Sequence, residues 1–345
     1  MEFKEILNKA EKEQITQDEA VSLFFQTENY SRSQELFKTA GRVRDNELGT
    51  TFKWSGGMPN VLPCTLDPHC KHCPYWLKNN NPVPLSIEEI FEAVKYIRSH
   101  GIREYNLSAG TVSGGNGREI VNIVRSLRAE CDPDSRITLN CGAALSEDTI
   151  NELKELGVTR ITVALETVND ELFRQTKPGD SLETKMRLVE MIRDAGLELG
   201  SGLLAGLSVE PSRYKDYVDF MFYLKQFNNL RSVYVSRFYP HKGIPMENHP
   251  RCSAMEGARI IAIMRLVLRD TNIGPAAGWN YDDIPLWVMA GGGNRIGGVG
   301  AIPEYRRKIN WRIHTAREYH GRLIFHNTID STSKLLQELG MNVEF

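Results

Sequence analysis

The feature that most constrains this chain is an alternation of short apolar runs with longer amphipathic segments, sustained over about 260 residues. Each apolar run is followed by a loop and then by a segment with helical spacing of apolar positions. Short apolar runs are typical of strands that are covered on both faces. Alternating units of this kind build a parallel sheet, either doubly wound or closed into a barrel. The sequence therefore predicts an α/β domain of six or seven strand–helix units.

The predicted strands are short, and most end in small or polar residues. In a barrel, the active site lies at the C-terminal ends of the strands. They are NVLPC (60–64), REYNLSAG (103–110), RITLNCG (136–142), RITVALET (160–167), LELGSGLLAGL (197–207) and SVYVSRFYP (232–240), followed by an apolar glycine-rich region over 275–300. The sequence also predicts helix boundaries between these strands. Ser86 with Glu89 three residues later predicts a capped helix start, and Gly101 predicts its end.

The first fifty residues predict helices rather than strands. Thr16 and Glu19 stand in capping-box spacing before an apolar run, and a second helical pattern stops at Gly49. We therefore expect a helical extension over 1–50, a barrel over 51–310 and a C-terminal helical segment over 311–345.

Charge and hydropathy exclude several classes of partner. The formal net charge is −2, and Lys and Arg are dispersed, so nothing indicates a nucleic-acid or membrane-surface partner. No apolar run reaches the roughly 20 residues of a membrane span, and the N-terminus MEFKEILNKAEKEQ does not resemble a signal peptide. We expect a cytoplasmic protein, in which the six cysteines are reduced or metal-bound rather than paired.

The segment CTLDPHCKHCPYW (64–76) places Cys64, Cys70 and Cys73 within ten residues. A structural zinc ion needs four ligands, so His69 or His72 would have to complete the set, and the chain has no second C-x₂-C pair. A redox dithiol would not need Cys64. A [4Fe–4S] cluster is held by thiolates, and three of them leave one iron open to a small molecule. The spacing favours the cluster, with zinc and incidental cysteines as the alternatives.

At this point the chain resembles the radical S-adenosylmethionine (SAM) superfamily, in the branch of biotin synthase, the [FeFe]-hydrogenase maturase HydE and methylornithine synthase. The resemblance extends over almost the whole chain. Most members carry C-x₃-C-x₂-C, whereas this chain has C-x₅-C-x₂-C. Within the branch, that spacing resembles the HmdB (HcgA) group, which is linked to making the iron-guanylylpyridinol cofactor of methanogen [Fe]-hydrogenase.

The resemblance implies a radical SAM TIM-type (β/α) barrel and an enzyme with two cofactors. A [4Fe–4S] cluster would sit on Cys64, Cys70 and Cys73, and SAM would chelate the open iron. Reductive cleavage of SAM would give a 5′-deoxyadenosyl radical that abstracts hydrogen from a small-molecule substrate. An external electron donor such as ferredoxin or flavodoxin would be needed. The implied step is formation of the pyridinol precursor or of a carbon ligand of the cofactor.

The resemblance also carries SAM contacts to positions that match the family motifs. Glu166 would accept a hydrogen bond from the SAM amino group. Lys185 stands where the family has an arginine for the SAM carboxylate, and Arg187 is a possible substitute. The implied set is His72, Ser108, Gly110, Thr111, Glu166, Lys185, Arg187, Leu204 and Val235.

No catalytic residue is identified at the substrate end. Position alone suggests polar or reactive groups at the strand tops, namely Asn140, Cys141, Tyr234, Arg237 and Asn280. Arg237 at the barrel mouth would suit an anionic substrate. Two alternatives remain: an enzyme like HydE or methylornithine synthase that acts on a small amino-acid-derived substrate, and a non-catalytic zinc or iron–sulfur scaffold.

Overall fold

A computed structural model describes residues 2–77, 83–142, 144–303 and 316–345. The predicted boundary between barrel and C-terminal segment, at residues 310 and 311, lies outside these ranges. Among the described helices, none is long and apolar enough to cross a membrane.

The strands form one eleven-stranded sheet, in the order β7-β6-β5-β4-β3-β2-β1-β8-β10-β9, with β11 paired to β1. Strands β1 to β8 are joined by parallel ladders, which confirms the predicted parallel sheet. Strand bounds are β1 (Thr51–Pro59), β2 (Glu104–Ser108), β3 (Arg136–Asn140), β4 (Val158–Glu166), β5 (Glu198–Ala205), β6 (Leu230–Arg237), β7 (Asn272–Pro275), β8 (Arg295–Pro303), β9 (Ala316–His320), β10 (Leu323–Asn327) and β11 (Asn342–Glu344).

Helices connect successive strands, and the two side-chain caps that the sequence predicts are present. Ser86 accepts from the backbone N–H of Glu89 at the start of α4, and Thr16 does the same with Glu19 at α2. Helix bounds are α1 (Phe3–Ala10), α2 (Gln17–Gln26), α3 (Tyr30–Leu48), α4 (Ile87–Ser99), α5 (Arg118–Glu130), α6 (Glu147–Glu155), α7 (Asp170–Thr176), α8 (Leu182–Asp194), α9 (Arg213–Leu224), α10 (Ala254–Val267), α11 (Ile284–Met289) and α12 (Ile329–Glu338), with a 3₁₀ turn at Tyr281–Asp283.

The first strand differs from its prediction. Residues 60–64 were expected to be a strand, but they form a loop, and β1 covers the preceding Thr51–Pro59. The backbone there alternates buried and partly exposed residues, with Phe52, Trp54 and Met58 in the core. This alternation of period two marks a strand even though Gly56 and Gly57 interrupt the apolar character. The cysteine loop therefore begins directly beyond the end of β1.

The N-terminal helices are packed onto the barrel, and α3 in particular runs across its later helices. The buried guanidinium of Arg44 on α3 donates to the carbonyls of Val288 and Gly292, at 3.0 and 2.9 Å. On α2, Phe24 stacks on Tyr214 of α9 with ring centroids 5.0 Å apart. These contacts make the extension part of the main hydrophobic core.

The C-terminal segment contains the expected helix, α12, together with strands. β10 pairs antiparallel with β8 and with β9, and β11 pairs parallel with β1. The segment therefore extends the sheet beyond β8.

The sheet curls into a barrel whose ladder does not run continuously between β7 and β8 in the described part of the chain. The two strands are joined near their start, where the Arg295 N–H donates to Asn272 Oδ1 at 3.0 Å. The lumen is polar and rich in glycine instead of being filled by Val, Ile and Leu as in many such barrels. Ser55, Asn106 and Gly274 line it, for example. The fold thus provides a hollow chamber beneath the carboxyl ends of the strands.

Candidate active site

The three cysteines lie on the loop that leaves β1 at the carboxyl end of the barrel. Cys64, Cys70 and Cys73 are half-buried and all three thiols are free. Burial raises the pKa of Cys70 to about 12 and that of Cys73 to about 11. A bound metal reverses this effect, because its charge stabilises the thiolate that coordinates it.

Aromatic side chains support the cysteine loop from within. The Trp76 indole N–H donates to the Cys70 carbonyl at 3.1 Å, and the His69 ring stacks on Trp76 with centroids 5.0 Å apart. The Tyr75 hydroxyl donates to Asn60 Oδ1. These contacts hold the backbone of the loop, so Tyr75 and Trp76 act as packing residues.

The loop after β2 is fastened to the cysteine loop by its backbone. The Gly110 N–H donates to the Leu62 carbonyl at 3.1 Å, and the Thr65 N–H donates to the Thr111 carbonyl at 2.9 Å. A Cβ at Gly110 would overlap the backbone of Pro63 and Cys64, so only glycine permits this approach. The structure therefore brings Ser108, Gly110 and Thr111 to the cysteine loop.

Five buried or half-buried side chains form a compact group at the top of the lumen, which we call the upper ion cluster. It consists of His72, Glu166, Lys177, Asp180 and Lys185. Glu166 Oε2 lies 3.2 Å from His72 Nε2 and 3.1 Å from Lys177 Nζ. Asp180 Oδ2 lies 3.3 Å from both Lys177 Nζ and Lys185 Nζ. Two carboxylates thus face two ammonium groups.

The electrostatics of the upper ion cluster keep its central carboxyl ionised. Burial on its own would raise the pKa of Glu166, but Lys177 and His72 outweigh it and hold that pKa well below its usual range. Burial, reinforced by the charge of Lys177, lowers the pKa of Lys185. In Lys177 the effect of burial is overcome by Glu166, Cys70 and Asp180, which raise its pKa.

The backbone at Glu166 is also unusual. Its φ of +68° lies in the left-handed region that non-glycine residues rarely adopt. Such conformations cost free energy and are concentrated at functional sites. The geometry turns the carboxylate at the end of β4 toward the cysteine loop, where it meets His72.

Lys177 and Asp180 were missed by sequence reasoning. Both belong to the turn KPGD between α7 and α8, and that turn packs on the cysteine loop. The Lys71 N–H donates to the Thr176 carbonyl at 2.8 Å, and a Cβ at Gly179 would overlap the carbonyl of Pro68. The only signal available in the sequence was two charges beside Pro and Gly, shortly after the Glu166 strand.

Two residues predicted to bind SAM do not reach this site. Arg187 lies two positions after Lys185 on α8, so it faces away from the lumen and lines an outer groove with Glu147 and Asp148. The Val235 side chain is fully buried in the main hydrophobic core. Its neighbour Tyr234 lines the lumen, and strand alternation turns Val235 to the opposite face.

Leu204 lies nearer to the cysteine loop. It is half-buried and packs on a small apolar group formed by Leu207, Phe238 and Ile244, which Leu77 at the end of the cysteine loop also joins. This group lies between the β5 end and the loop after β6, so it covers one side of the site.

Of the proposed substrate contacts, Tyr234 and Asn280 line the lumen cavity. Asn140 ends β3, and its carbonyl accepts from the Ala109 N–H at 2.8 Å. Cys141 is buried, which raises its pKa to about 12 and leaves it a small apolar residue.

Arg237 does not face an open barrel mouth. It is buried, its guanidinium lies 2.6 Å from Asp283 Oδ2, and it sits 4.6 Å above the Trp279 ring centre. It lies against Gly257 of α10 on the outer layer. Arg237 pairs with Asp283 and does not line the lumen cavity, so its suggested role in substrate binding gains no support from the structure.

The site's residues fit an iron–sulfur cluster better than a single ion. Among the described residues, no three His, Cys, Asp or Glu side chains converge closely enough to hold one metal ion. A cluster binds each thiolate on a different iron, so it takes the three cysteines farther apart than zinc does. The buried His72 Nδ1 has no hydrogen-bond partner among the described residues and lies on the same loop. It is available to a polar ligand there.

Comparisons with known proteins agree with this site. Residues 64–225 match the radical SAM superfamily. An uncharacterized protein of Methanocaldococcus jannaschii is 32% identical over 88% of this chain and 81% of its own. The [FeFe] hydrogenase maturase subunit HydE of Thermotoga maritima is 25% identical, over 79% of this chain and 76% of its own. The crystal structure of methylornithine synthase (PylB) superposes with a TM-score of 0.78 at 20% identity, covering 99% of this chain and 97% of that one.

The chain belongs to the radical SAM superfamily, whose members are enzymes that bind a [4Fe–4S] cluster and reductively cleave SAM. The cysteines Cys64, Cys70 and Cys73 fit the cluster motif. The expected barrel and cofactors are thereby confirmed, HydE is a relative in sequence, and PylB shares the fold.

Proposed function

We propose that this radical SAM enzyme takes part in biosynthesis of the iron-guanylylpyridinol cofactor of [Fe]-hydrogenase. Its step would be formation or rearrangement of a pyridinol precursor, or supply of one carbon ligand. The observation that carries the proposal is the C-x₅-C-x₂-C spacing, which resembles the HmdB (HcgA) group. The long cysteine loop is an integrated part of this fold, since it is bound by the β2 loop and by the turn that carries Lys177.

In this proposal Cys64, Cys70 and Cys73 hold the cluster. When bound, the cluster and SAM supply a one-electron cleavage that yields a 5′-deoxyadenosyl radical. The chain binds, aims and shields these groups. The apolar group around Leu207 and Leu204 keeps water from one side of the site.

Glu166 is assigned to the SAM amino group, and its low pKa keeps it ionised for a charge-assisted hydrogen bond. Lys185, which lies 3.3 Å from Asp180, is assigned to the SAM carboxylate. Lys177 balances the charge of Glu166, and Asp180 balances the charge of Lys185, so these ion pairs position the two SAM-binding residues. His72, Ser108, Gly110 and Thr111 complete the site from the adjoining loops.

The substrate is assigned to the polar lumen beneath the upper ion cluster. Asn106 and Ser108 lie on the same face of β2, two residues apart, so the lumen continues directly below the proposed SAM site. The electron is assigned to an external donor such as ferredoxin or flavodoxin.

A second candidate is an enzyme acting on a small amino-acid-derived substrate, as the names HydE and methylornithine synthase suggest. The relation to HydE and the similarity of fold to PylB favour it. The cysteine spacing is what places the cofactor pathway first.

Electron paramagnetic resonance of anaerobically reconstituted, dithionite-reduced protein tests the common chemistry. We expect a reduced [4Fe–4S] signal that shifts on adding SAM, and 5′-deoxyadenosine in the same tubes. Cys70→Ser should abolish both, whereas Cys131→Ser, at the end of α5 and far along the chain from the motif, should leave both intact. A cluster signal indifferent to SAM would contradict the assignment.

The pathway is tested by deleting the gene in a host that makes [Fe]-hydrogenase. We expect active enzyme and guanylylpyridinol to disappear and to return on complementation with wild type but not with Cys70→Ser. Normal cofactor in the deletion strain would move the second candidate to first place.

A further inference from the structure

A cavity of about 210 Å³ lies in the barrel beneath the upper ion cluster. Its upper wall includes Asn106 and Tyr234, and its floor includes Glu104, Arg160 and Arg295 at the starts of their strands. Arg160 lies near the start of β4 and Glu166 at its end, six residues apart, which spans about 20 Å along the strand. The charged floor is therefore separated from the level of the proposed SAM site by most of the length of β4.

The floor belongs to a second group of charges, which we call the lower ion cluster. Glu104 is its centre, with Arg160 at 3.4 Å, Arg136 at 3.5 Å and Arg295 closer still. Arg136 also pairs with Glu198 at 2.8 Å. Three guanidinium groups therefore share two carboxylates, and one positive charge is left over.

Arg160 is the most buried of the three arginines and, unlike Arg136, whose Nε also has no hydrogen-bond partner among the described residues, it lines the cavity. It is only 3% exposed, its one ion pair is to Glu104, and its Nε donates to no described residue. A buried donor without a partner is costly, and more so when it is charged. Because Arg160 also lines the cavity, a ligand there can accept the hydrogen bond and balance the charge.

One side of the wall is aromatic and apolar. Trp279, Tyr281, Ile284 and Trp287 contribute to it at the junction of β7 and β8. The indole N–H groups of Trp279 and Trp287 are bound to backbone carbonyls at 2.8 Å, so these rings present their apolar faces and edges. A dry cavity of about 150 Å³ holds benzene, so this one has room for a ring with a short polar arm.

We infer that this cavity binds a ring-bearing carboxylate, with the carboxylate on Arg160 and Arg295 and the ring against Trp279 and Ile284. A carboxylate matches the planar fork of a guanidinium and supplies the missing negative charge. A free carboxylic acid of this kind is the substrate class that the chamber would take. This last step rests on the proposed function, whereas the binding site itself does not.

The test uses reconstituted holoenzyme with SAM and two matched probes, phenylacetate and phenylacetamide, which differ in charge but hardly in shape. We expect isothermal titration calorimetry to show at least tenfold tighter binding of phenylacetate. Arg160→Met should remove that preference. Glu104→Gln, which increases the excess positive charge of the floor, should preserve or increase it. A structure with 4-bromophenylacetate should place the bromine in the cavity and the carboxylate at Arg160 Nε.

Equal binding of the two probes by the wild-type enzyme would overturn the inference, and that comparison does not depend on any variant folding. So would a bromine position outside the cavity. The result is separable from the proposed function. Selective binding of phenylacetate without formation of 5′-deoxyadenosine would support the carboxylate site and contradict the proposed function. Formation of 5′-deoxyadenosine without selective binding would support the SAM chemistry and contradict the carboxylate site.

Discussion

The upper and lower ion clusters occupy opposite ends of one lumen and differ in their charge balance. In the upper cluster two carboxylates meet two lysines at 3.1 to 3.3 Å. In the lower cluster three arginines share two carboxylates, and the Nε of Arg160 has no partner among the described residues. The first is self-neutral and fixed by the protein. The second has a surplus positive charge, which the anion proposed for the cavity would balance.

The largest effect should come from removing a charge from the balanced cluster. Lys177→Met leaves Glu166 and Asp180 as neighbouring buried carboxylates without their shared cation. Breaking a buried ion pair on one side costs about 3–5 kcal/mol, and we expect a loss of that size in the free energy of unfolding. Urea denaturation measures it, with Lys177→Arg as the charge-preserving control. A loss below about 1 kcal/mol would show that the cluster is not electrostatically coupled.

Glu166→Gln should weaken SAM binding by about 10- to 100-fold, because a hydrogen bond to a charged group contributes about 1.5–3 kcal/mol. Calorimetry on the anaerobic, reconstituted protein measures the SAM affinity. Glu104→Gln is the matched control from the other end of the lumen and should leave that affinity unchanged. Equal losses in both variants would mean that the two ends do not have separate ligands.

The unbalanced cluster should tolerate loss of a charge much better. Arg160→Met leaves two guanidinium groups with two carboxylates in the lower cluster and removes a buried donor that has no partner. We expect a change in the free energy of unfolding of less than about 1 kcal/mol in ligand-free protein, and of either sign. Urea denaturation beside Lys177→Met gives the comparison directly. A loss as large as that of Lys177→Met would contradict the contrast between the clusters.

The smallest effect is expected at the outward face of α8. Arg187→Ala should leave SAM affinity unchanged, because Arg187 lines an outer groove rather than the lumen. Lys185→Ala, two residues earlier and buried beside Asp180, should lower it. Calorimetry of the two variants in parallel decides between them, and a reversed order would restore Arg187 as the SAM carboxylate ligand.

Much of the barrel is predictable because its strands and helices have distinct periods. The strands β2 to β6 and the capped start of α4 follow from local patterns. β1 was misplaced because its alternation runs through Gly56 and Gly57, which resemble a turn when only continuous apolar runs are sought. Val235 was assigned to SAM by resemblance, but Tyr234 is the residue that lines the lumen, since neighbouring residues of a strand face opposite sides.

The cysteine motif is local in sequence, so its metal chemistry could be inferred without a structure. The upper ion cluster is not local, because His72, Glu166 and Lys177 come from three different loops or strand ends. The hydrophobic periodicity of the sequence carries no information about the packing of the turn at residues 177–180 on the cysteine loop. The charge surplus of the lower cluster likewise appears only when the starts of several strands are brought together.

The contact of Gly179 with Pro68 bears on any attempt to graft the motif into a shorter-spaced relative. Pro68 lies inside the long Cys64–Cys70 interval, and Gly179 belongs to the turn that carries Lys177 and Asp180. A side chain at position 179 would collide with the Pro68 carbonyl. The two loops are therefore a matched pair, and a transplant must move both. Moving the cysteines alone would deprive the longer loop of the surface on which it rests.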